Sequence, residues 1–259
     1  MEKRRLDVED KIKSDEGRIF AQWLRILSEK EVPYVLGGAF ATYAYTSIWR
    51  DTKDLDIFLP PFYLKSALSE FDKAGYETEV RDVCWLAKVY QNTYFMDLIF
   101  GTSSNQLLID ENWFEHSHPI KILGVPAHLI AIEELIASKI YMVKHVRFDG
   151  ADIAHLIHSL KGNINWQQVL NLIHDNKGIL LWHLIYFDFV YPALSDYLPK
   201  KLMVNLFKQM QEEWLELRDP KVFRGMLLDP QSFALDCEKW GYKDGCVLFP
   251  LVNHKGEKV

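Results

Sequence analysis

The spacing of apolar positions changes its character near residue 125. Before that point, short segments rich in aromatic and β-branched residues alternate with segments of helical period. Strands are predicted at 34–36, 55–59, 77–81, 84–90 and 93–100, and helices within 7–30, at 39–47 and at 62–74. After a predicted loop at 101–126, helices are predicted at 127–146, 150–161, 165–175, 179–191 and 200–217. The pattern predicts an α+β fold, with a mixed β-sheet domain and flanking helices at residues 1–125, followed by a helical C-terminal domain at residues 126–259.

Composition limits the classes of protein that fit this pattern. The chain has 259 residues, of which 49% are hydrophobic, so it can bury a substantial core. A formal net charge of -6 disfavours a broad nucleic-acid surface, because such surfaces are normally basic. The cysteines Cys84, Cys237 and Cys246 have no CxxC spacing and indicate free thiols in a reducing compartment.

Two segments bear on the cellular location. The N-terminal residues are highly charged, so no signal peptide is predicted there. The apolar segment that begins at Gly178 is interrupted by His183, Asp188 and Pro192, and it is shorter than the roughly 20 residues that span a bilayer. This segment is predicted to be a buried helix, and the protein is predicted to be cytoplasmic without a membrane partner.

A glycine pair and two aspartates are the candidate chemistry of the N-terminal half. Gly37 and Gly38 end a predicted strand, where the absence of Cβ atoms lets phosphate oxygens approach backbone N–H groups and the next helix N-terminus. Asp54 and Asp56 lie one residue apart on the next predicted strand, so both side chains point to the same face. Carboxylate oxygens are the ligands that Mg²⁺ prefers. The pattern therefore predicts a site for a metal ion and a triphosphate.

Asp97 is the candidate for a third carboxylate. It is the one charged residue in the apolar segment YFMDLIF, where a carboxylate is costly unless a cation compensates it. An isolated DxD pair is common, and a single aspartate often marks an edge strand with one solvated face. The order of a glycine pair, a DxD pair and a strand aspartate is much more specific than any one element.

The segments LGGAFATYAY, RDTKDLDIF and FMDLIF resemble the nucleotidyltransferase superfamily typified by DNA polymerase β, kanamycin nucleotidyltransferase and CCA-adding enzymes. Within it, the chain is most similar to the minimal-nucleotidyltransferase and AbiEii-toxin-like branches, over roughly residues 30–100. The resemblance implies that Gly37 and Gly38 hold the triphosphate. It also implies that the catalytic metal ligands are Asp54, Asp56 and Asp97.

Five further residues are candidates for nucleotide binding. Arg50 and Lys53 flank the DxD pair and can contact phosphates, although they can equally balance nearby acids on a solvated loop. The block EELIASKIYMVKHVRFDGADIAHL resembles the helical region of AbiEii-like proteins. That resemblance implies that Lys139 reaches the phosphates and that Asp152 orients Lys139 or Arg147. Lys139 and Arg147 lie eight residues apart, roughly two helical turns, so their side chains are predicted to share one broad helix face. The alternative is an ordinary amphipathic helix with i,i+3 and i,i+4 pairs.

These residues support the hypothesis of an enzyme that uses Mg²⁺ or Mn²⁺. It would transfer a nucleoside monophosphate from a nucleoside triphosphate to a hydroxyl acceptor and release pyrophosphate. In the two-metal form of this chemistry, one ion held by all three aspartates activates the acceptor, and another held by Asp54 and Asp56 accompanies the leaving phosphates. The acceptor stays open between a small molecule, a tRNA end and a protein. Two alternatives are an inert nucleotide-binding or interaction protein of the same fold, and a toxin of a toxin–antitoxin pair.

Overall fold

The structure is a computed structural model, and it describes residues 4–102, 106–216, 223–243 and 250–258. The strands are β1 (Arg4–Leu6), β2 (Val35–Leu36), β3 (Asp54–Phe58), β4 (Glu77–Asp82), β5 (Leu86–Gln91), β6 (Tyr94–Ile99), β7 (His118–Ile122), β8 (Val125–Leu129), β9 (Val143–Lys144) and β10 (Arg147–Phe148). The helices are α1 (Ser14–Glu29), α2 (Gly38–Thr46), α3 (Pro61–Lys73), α4 (Glu111–Glu115), α5 (Ile132–Ile140), α6 (Gly150–Ser159), α7 (Trp166–Ile173), α8 (Lys177–Val190), α9 (Lys200–Leu215), α10 (Gly225–Leu228) and α11 (Pro230–Trp240). A 3₁₀ segment follows α8 at Pro192–Tyr197.

The chain divides into two compact units, Met1–Ala131 with Phe249–Val259, and Ile132–Leu248. The first unit contains a mixed sheet with the strand order β1-β7-β8-β2-β3-β6-β5-β4. The second unit is helical and also contains the β9–β10 hairpin. The predicted α+β class with a helical C-terminal region is confirmed. The predicted domain boundary at residue 125 stays a prediction, and the tail groups with the first unit in the structure.

The strands that carry the candidate site lie at the centre of the sheet. β3 pairs with β2 in antiparallel orientation and with β6 in parallel orientation. β5 and β6 form a hairpin that turns at Asn92, which has a positive φ of 57°. The predicted strands and helices between residues 34 and 100 are confirmed, with small shifts of their ends. Alternation along β3 and β6 buries Leu55, Ile57, Met96 and Leu98 and leaves the aspartates half-buried on the other face.

Two predicted segments differ from the structure. The predicted loop 101–126 contains α4, β7 and the first residues of β8. The predicted helix 127–146 is wrong at both ends, because residues 125–129 form β8 and residues 143–148 form the β9–β10 hairpin, which leaves only α5 between them. β7 and β8 each contain a proline, which removes a ladder donor and weakens the strand signal in the sequence.

Aromatic side chains fill the core of the first unit beneath α1. Phe20, Trp23 and Phe40 are fully buried, and the Phe20 ring packs against both other rings at centroid distances of 5.6 and 5.9 Å. In the tail, the N–H groups of Leu251 and Val252 both donate to the carbonyl oxygen of Val83. These bonds attach the end of the chain to the sheet unit.

Helix α8 is the apolar segment that was predicted to be a buried helix. One face, which includes Leu180, Leu184 and Phe187, is buried, whereas Trp182 and Phe189 are 42% and 84% exposed. The predicted buried helix is therefore present, but it is buried on one face only. Within the described ranges, no helix has both the length and the hydropathy that a membrane span requires. Cys84 is a buried free thiol, while Cys246 lies outside the described residues.

Glu16, in the first turn of α1, is buried at an energetic cost. Its side chain is 6% exposed, and its Oε1 has no hydrogen-bond partner among the described residues. Burial raises its pKa above the ordinary value of 4.5, although the Lys13 N–H hydrogen bond opposes that shift. Because the folded-state pKa is raised, the contribution of Glu16 to stability is most favourable below its unfolded-state pKa and is lost as the pH rises through the folded-state value.

Replacing Glu16 with glutamine is therefore expected to stabilise the protein at neutral pH, because the amide is never ionised. The expected gain is about 2–4 °C in melting temperature, and it should disappear below about pH 4. Thermal unfolding followed by circular dichroism measures both values. Glu29→Gln, at the exposed end of the same helix, is the matched control and should change little. A melting temperature of Glu16→Gln equal to or below that of the control at neutral pH would contradict this account.

Candidate functional site

Three carboxylates converge at the centre of the sheet. Asp56 on β3 pairs in register with Asp97 on the parallel neighbour β6, and Asp54 precedes Asp56 by two residues on the same face. One carboxylate oxygen from each of the three lies within 4.8 Å of those of the other two. All three residues are half-buried. The structure thus brings together the three aspartates that the sequence singled out, and their role as metal ligands stays a prediction.

The glycine pair lies directly against this cluster. The Gly37 N–H donates to the carbonyl oxygen of Asp56 at 2.9 Å, and α2 begins at Gly38. Gly38 has a φ of +55°, and a Cβ atom there would lie 1.8 Å from Asp56 Oδ2. A Cβ atom at Gly37 would lie 2.2 Å from the Phe58 ring. Each glycine therefore makes room for a side chain of β3, and the Asp56 carboxylate lies beside the first turn of α2.

Gly38→Ala is expected to displace the Asp56 carboxylate and to reduce any transfer activity by about 10²-fold, because small misplacements of reacting groups are costly. The loss of unfolding free energy should exceed the roughly 1–2 kcal/mol that a left-handed conformation costs a non-glycine residue. Gly75→Ala is the matched control, because Gly75 has a φ of +84° and open space around it. Rates of label transfer and urea unfolding of both variants give the comparison. Equal destabilisation by the two substitutions, with full transfer activity in Gly38→Ala, would contradict the expected displacement.

Two side chains that the sequence analysis did not single out contact the aspartates. The Thr52 hydroxyl donates to Asp54 Oδ1 from the segment before β3. Lys88 on β5 lies in register with Asp97, and its Nζ donates to Asp97 Oδ1 at 2.6 Å. The same Nζ lies 4.0 Å from the centroid of the Phe95 ring. Lys88 therefore places a positive charge directly at the third carboxylate.

Arg50 and Lys53 lie in the segment that leads into β3, and both are exposed. In the same segment, the Trp49 indole N–H donates to Asp51 Oδ1 at 3.2 Å. Within α2, the hydroxyl groups of Thr42 and Thr46 donate to the carbonyl oxygens of Gly38 and Thr42, and both threonines are buried. The role of Arg50 and Lys53 in phosphate binding stays a prediction.

The candidates Lys139, Arg147 and Asp152 meet in the second unit, in a cluster that also contains Asp149. Lys139 Nζ contacts Asp149 Oδ2 at 2.9 Å and Asp152 Oδ2 at 2.8 Å. Arg147 forms a two-pronged contact with both oxygens of Asp149, at 2.8 and 2.9 Å. Lys139 is 5% exposed and Asp149 is equally buried, whereas the side chain of Arg147 is 59% exposed. The ammonium group of Lys139 is thus held between two buried carboxylates.

The prediction that Lys139 and Arg147 share one face of a helix is wrong. Lys139 lies at the end of α5, Arg147 lies on β10, and Asp152 lies in α6. Burial by itself would raise the pKa of Asp149, but the hydrogen bond and charge of Arg147 and the charge of Lys139 hold that pKa below 3.8. Because this pKa is depressed, the stabilising contribution of Asp149 is present above its unfolded-state pKa and is lost as the pH falls through the folded-state value.

The sheet cluster has the donor chemistry that a hard divalent cation requires. Its ligand atoms are all carboxylate oxygens, and they are close enough to share one ion. The room that Gly38 leaves for Asp56 would be filled by any larger residue. Asp54, Asp56 and Asp97 therefore fit a Mg²⁺ or Mn²⁺ site, and the adjoining α2 N-terminus offers backbone N–H groups to an anion.

Comparisons with known proteins identify the family of the chain. The family described as "nucleotidyl transferase of unknown function (DUF2204)" matches residues 17–175, which is more than half of the chain. No curated protein matches the sequence significantly.

Among solved structures, the antibiotic-resistance factor ANT(2'')-Ia is similar at 15% identity, over 64% of this chain and 94% of that chain, with a TM-score of 0.47. An antigenic nucleotidyltransferase-like protein from Paracoccidioides brasiliensis is similar at 15% identity, over 72% of this chain and 93% of that chain, with a TM-score of 0.48. The lincosamide antibiotic adenylyltransferase LnuA is similar at 15% identity, over 56% of this chain and 96% of that chain, with a TM-score of 0.40. At these identities the similarity concerns the fold alone. On the family match, the chain belongs to the DUF2204 nucleotidyltransferase family.

Proposed function

We propose that the protein is a Mg²⁺-dependent nucleotidyltransferase, which also accepts Mn²⁺. It transfers a nucleoside monophosphate from a nucleoside triphosphate to a hydroxyl acceptor, with release of pyrophosphate. The observation that carries this proposal is the meeting of Asp54, Asp56 and Asp97 within 4.8 Å, directly beside the glycine pair that opens α2. Metal ligands and an anion-binding helix terminus side by side are what a metal-bound triphosphate needs.

In this proposal, the three aspartates and the glycine pair have different roles. Asp54, Asp56 and Asp97 would hold the divalent cations by their fixed negative charge. When bound there, these ions supply positive charge to the attacking and leaving oxygens of an in-line displacement. Gly37 and Gly38 let the phosphates approach the backbone, and the half-buried setting strengthens each electrostatic contact. Catalysis then consists mainly of positioning and charge stabilisation.

Arg50, Lys53, Lys139, Arg147 and Asp152 are proposed as nucleotide contacts or their supports. In the cluster of the second unit, the guanidinium group of Arg147 is the exposed one and can reach a ligand. The ammonium group of Lys139 is enclosed by carboxylates, so it orients its neighbours in this proposal. The free thiol of Cys84 supports the proposed cytoplasmic location.

The acceptor carries a hydroxyl group, and the candidates are a small molecule, a tRNA end and a protein side chain. The net charge of -6 favours the first and the third, because a long RNA contact needs many basic groups. A local basic surface would still permit a short contact with a tRNA end.

The proposal is tested with labelled nucleoside triphosphates, Mg²⁺ or Mn²⁺ and a cell extract. The α-phosphate label is expected to appear on an acceptor, and the γ-phosphate label is expected in pyrophosphate. The size of the labelled product identifies the acceptor class. Transfer of the γ label to an acceptor would indicate a kinase instead. Absence of transfer from every nucleoside triphosphate, together with absence of nucleotide binding by calorimetry, would contradict the proposal.

A further inference from the structure

A row of charged side chains crosses four neighbouring strands of the sheet. Glu79 on β4 lies in register with Lys88 on β5, and Lys88 lies in register with Asp97 on β6. Asp97 in turn lies in register with Asp56 on β3. Directly paired residues of adjacent strands project to the same face, so Lys88 stands between two carboxylates.

Of the two acidic neighbours of Lys88, Asp97 forms the ion pair with it. Its Nζ lies 2.6 Å from Asp97 Oδ1, and the two side chains are 18% and 14% exposed. Glu79 is 42% exposed, and it accepts a hydrogen bond from the Tyr90 hydroxyl at 2.9 Å and one from Arg81 at 3.2 Å. Lys88 therefore neutralises the carboxylate of the candidate metal site, while Glu79 lies on its other side.

We propose that Lys88 is an internal counter-ion that competes with the divalent cation for Asp97. When the cation binds, the Lys88 ammonium group moves towards Glu79, on the adjacent strand. The identity of the cation rests on the proposed function. The physical reason is that the lysine and the metal are both positive and use the same carboxylate, so each weakens the hold of the other. The three aspartates therefore bind the metal more weakly than they would in the absence of Lys88.

The length and position of the side chain permit this exchange. Lys88 has a flexible four-carbon stem with an ammonium group that can bond in several directions. Its Nζ lies 4.0 Å from the centroid of the Phe95 ring. Neighbouring strands are about 4.8 Å apart, so a rotation of the last bonds is enough to change partner.

The test is a titration of the full chain with Mn²⁺ alone, near neutral pH and without nucleotide, followed by electron paramagnetic resonance of the free ion. Lys88→Met is expected to lower the dissociation constant for Mn²⁺ by at least about tenfold, because a competing charge is removed. Lys121→Met, an exposed lysine on β7 of the same sheet, is the matched control and should bind as the wild type does. The double variant Lys88→Met/Asp97→Asn should bind Mn²⁺ no more tightly than Asp97→Asn alone. That result would show that Lys88 lowers the Mn²⁺ affinity through Asp97.

A second variant tests whether Glu79 accepts Lys88 when the metal binds. Glu79→Gln is expected to raise the dissociation constant about threefold, because the displaced lysine loses its alternative partner. The same substitution should have no effect in the Lys88→Met background. Circular dichroism confirms that each variant is folded.

Equal affinity of Lys88→Met and wild type, a gain that persists without Asp97, or no measurable Mn²⁺ binding to either protein would each overturn the proposal. Because the titration contains no nucleotide, a failure to detect transfer would leave this inference standing. Unchanged Mn²⁺ affinity in Lys88→Met with full transfer activity would instead remove the inference and keep the proposed function.

Discussion

Asp56→Asn is expected to reduce transfer of the nucleoside monophosphate by at least about 10³-fold, because it removes a fixed negative charge at the centre of the site. Asp56 is in register with Asp97 and lies against Gly38, so under the proposed function the binding of both the metal and the triphosphate would depend on its position. Asparagine has nearly the same shape, so the loss should come from charge and not from repacking. Initial rates of α-label transfer measure the effect, and thermal unfolding checks that the fold is kept.

Asp10→Asn is the control for this prediction. Asp10 lies in the same unit, and it is exposed and paired with Lys11 at 2.9 Å. Its substitution removes the same formal charge from the surface and should leave the rate within about twofold, because exposed charges are screened by salt. Activity of Asp56→Asn close to that of Asp10→Asn would mean that the aspartate cluster is not the catalytic centre.

Lys139→Met is expected to lower the free energy of unfolding by about 3–5 kcal/mol, because it removes the cation that lies between two buried carboxylates. Lys139 is 5% exposed and contacts both Asp149 and Asp152, so methionine can fill the volume and cannot replace the charge. In this variant the pKa of Asp149 should rise, and the protein should lose stability at a higher pH during acid titration. Urea unfolding at neutral and acidic pH measures both effects.

Lys208→Met, an exposed lysine on α9 of the same unit, provides the control and should change the unfolding free energy by less than about 0.5 kcal/mol. A similarly small change in Lys139→Met would show that the cluster contributes little to stability. Nucleotide binding measured on the same folded samples then separates the two roles of Lys139, because a purely structural lysine should leave the affinity of the folded protein unchanged.

The aspartate cluster is predictable from the sequence because side chains alternate between the two faces of a strand. Asp54 and Asp56 share a face by spacing alone, and Asp97 was identified because it is the one charge in an apolar strand. The contact between Lys88 and Asp97 is also predictable from the local sequence of the β5–β6 hairpin. Gln91 pairs with Tyr94 across the hairpin turn, and the same register places Lys88 opposite Asp97.

The segment 101–148 shows where local pattern fails. β7 and β8 bury alternate residues in the manner of strands, but Pro119 and Pro126 weaken that signal. The apolar residues on either side of α5 fit a continuous helical period, and the structure pairs them as strands instead. β1 pairs with β7 across more than a hundred residues of chain. No turn connects the two strands directly, so the local sequence does not predict their pairing.

The sequence by itself determined the fold class, the central strands and the three aspartates of the candidate site, because these follow from side-chain periodicity and from the cost of a charge in an apolar strand. Only the tertiary structure decided the strand order, the fit of Asp56 against Gly38, and the enclosure of Lys139 by two carboxylates. Those features depend on pairing and packing between residues far apart in the chain, where the free energy of burial selects one partner among many that local pattern permits.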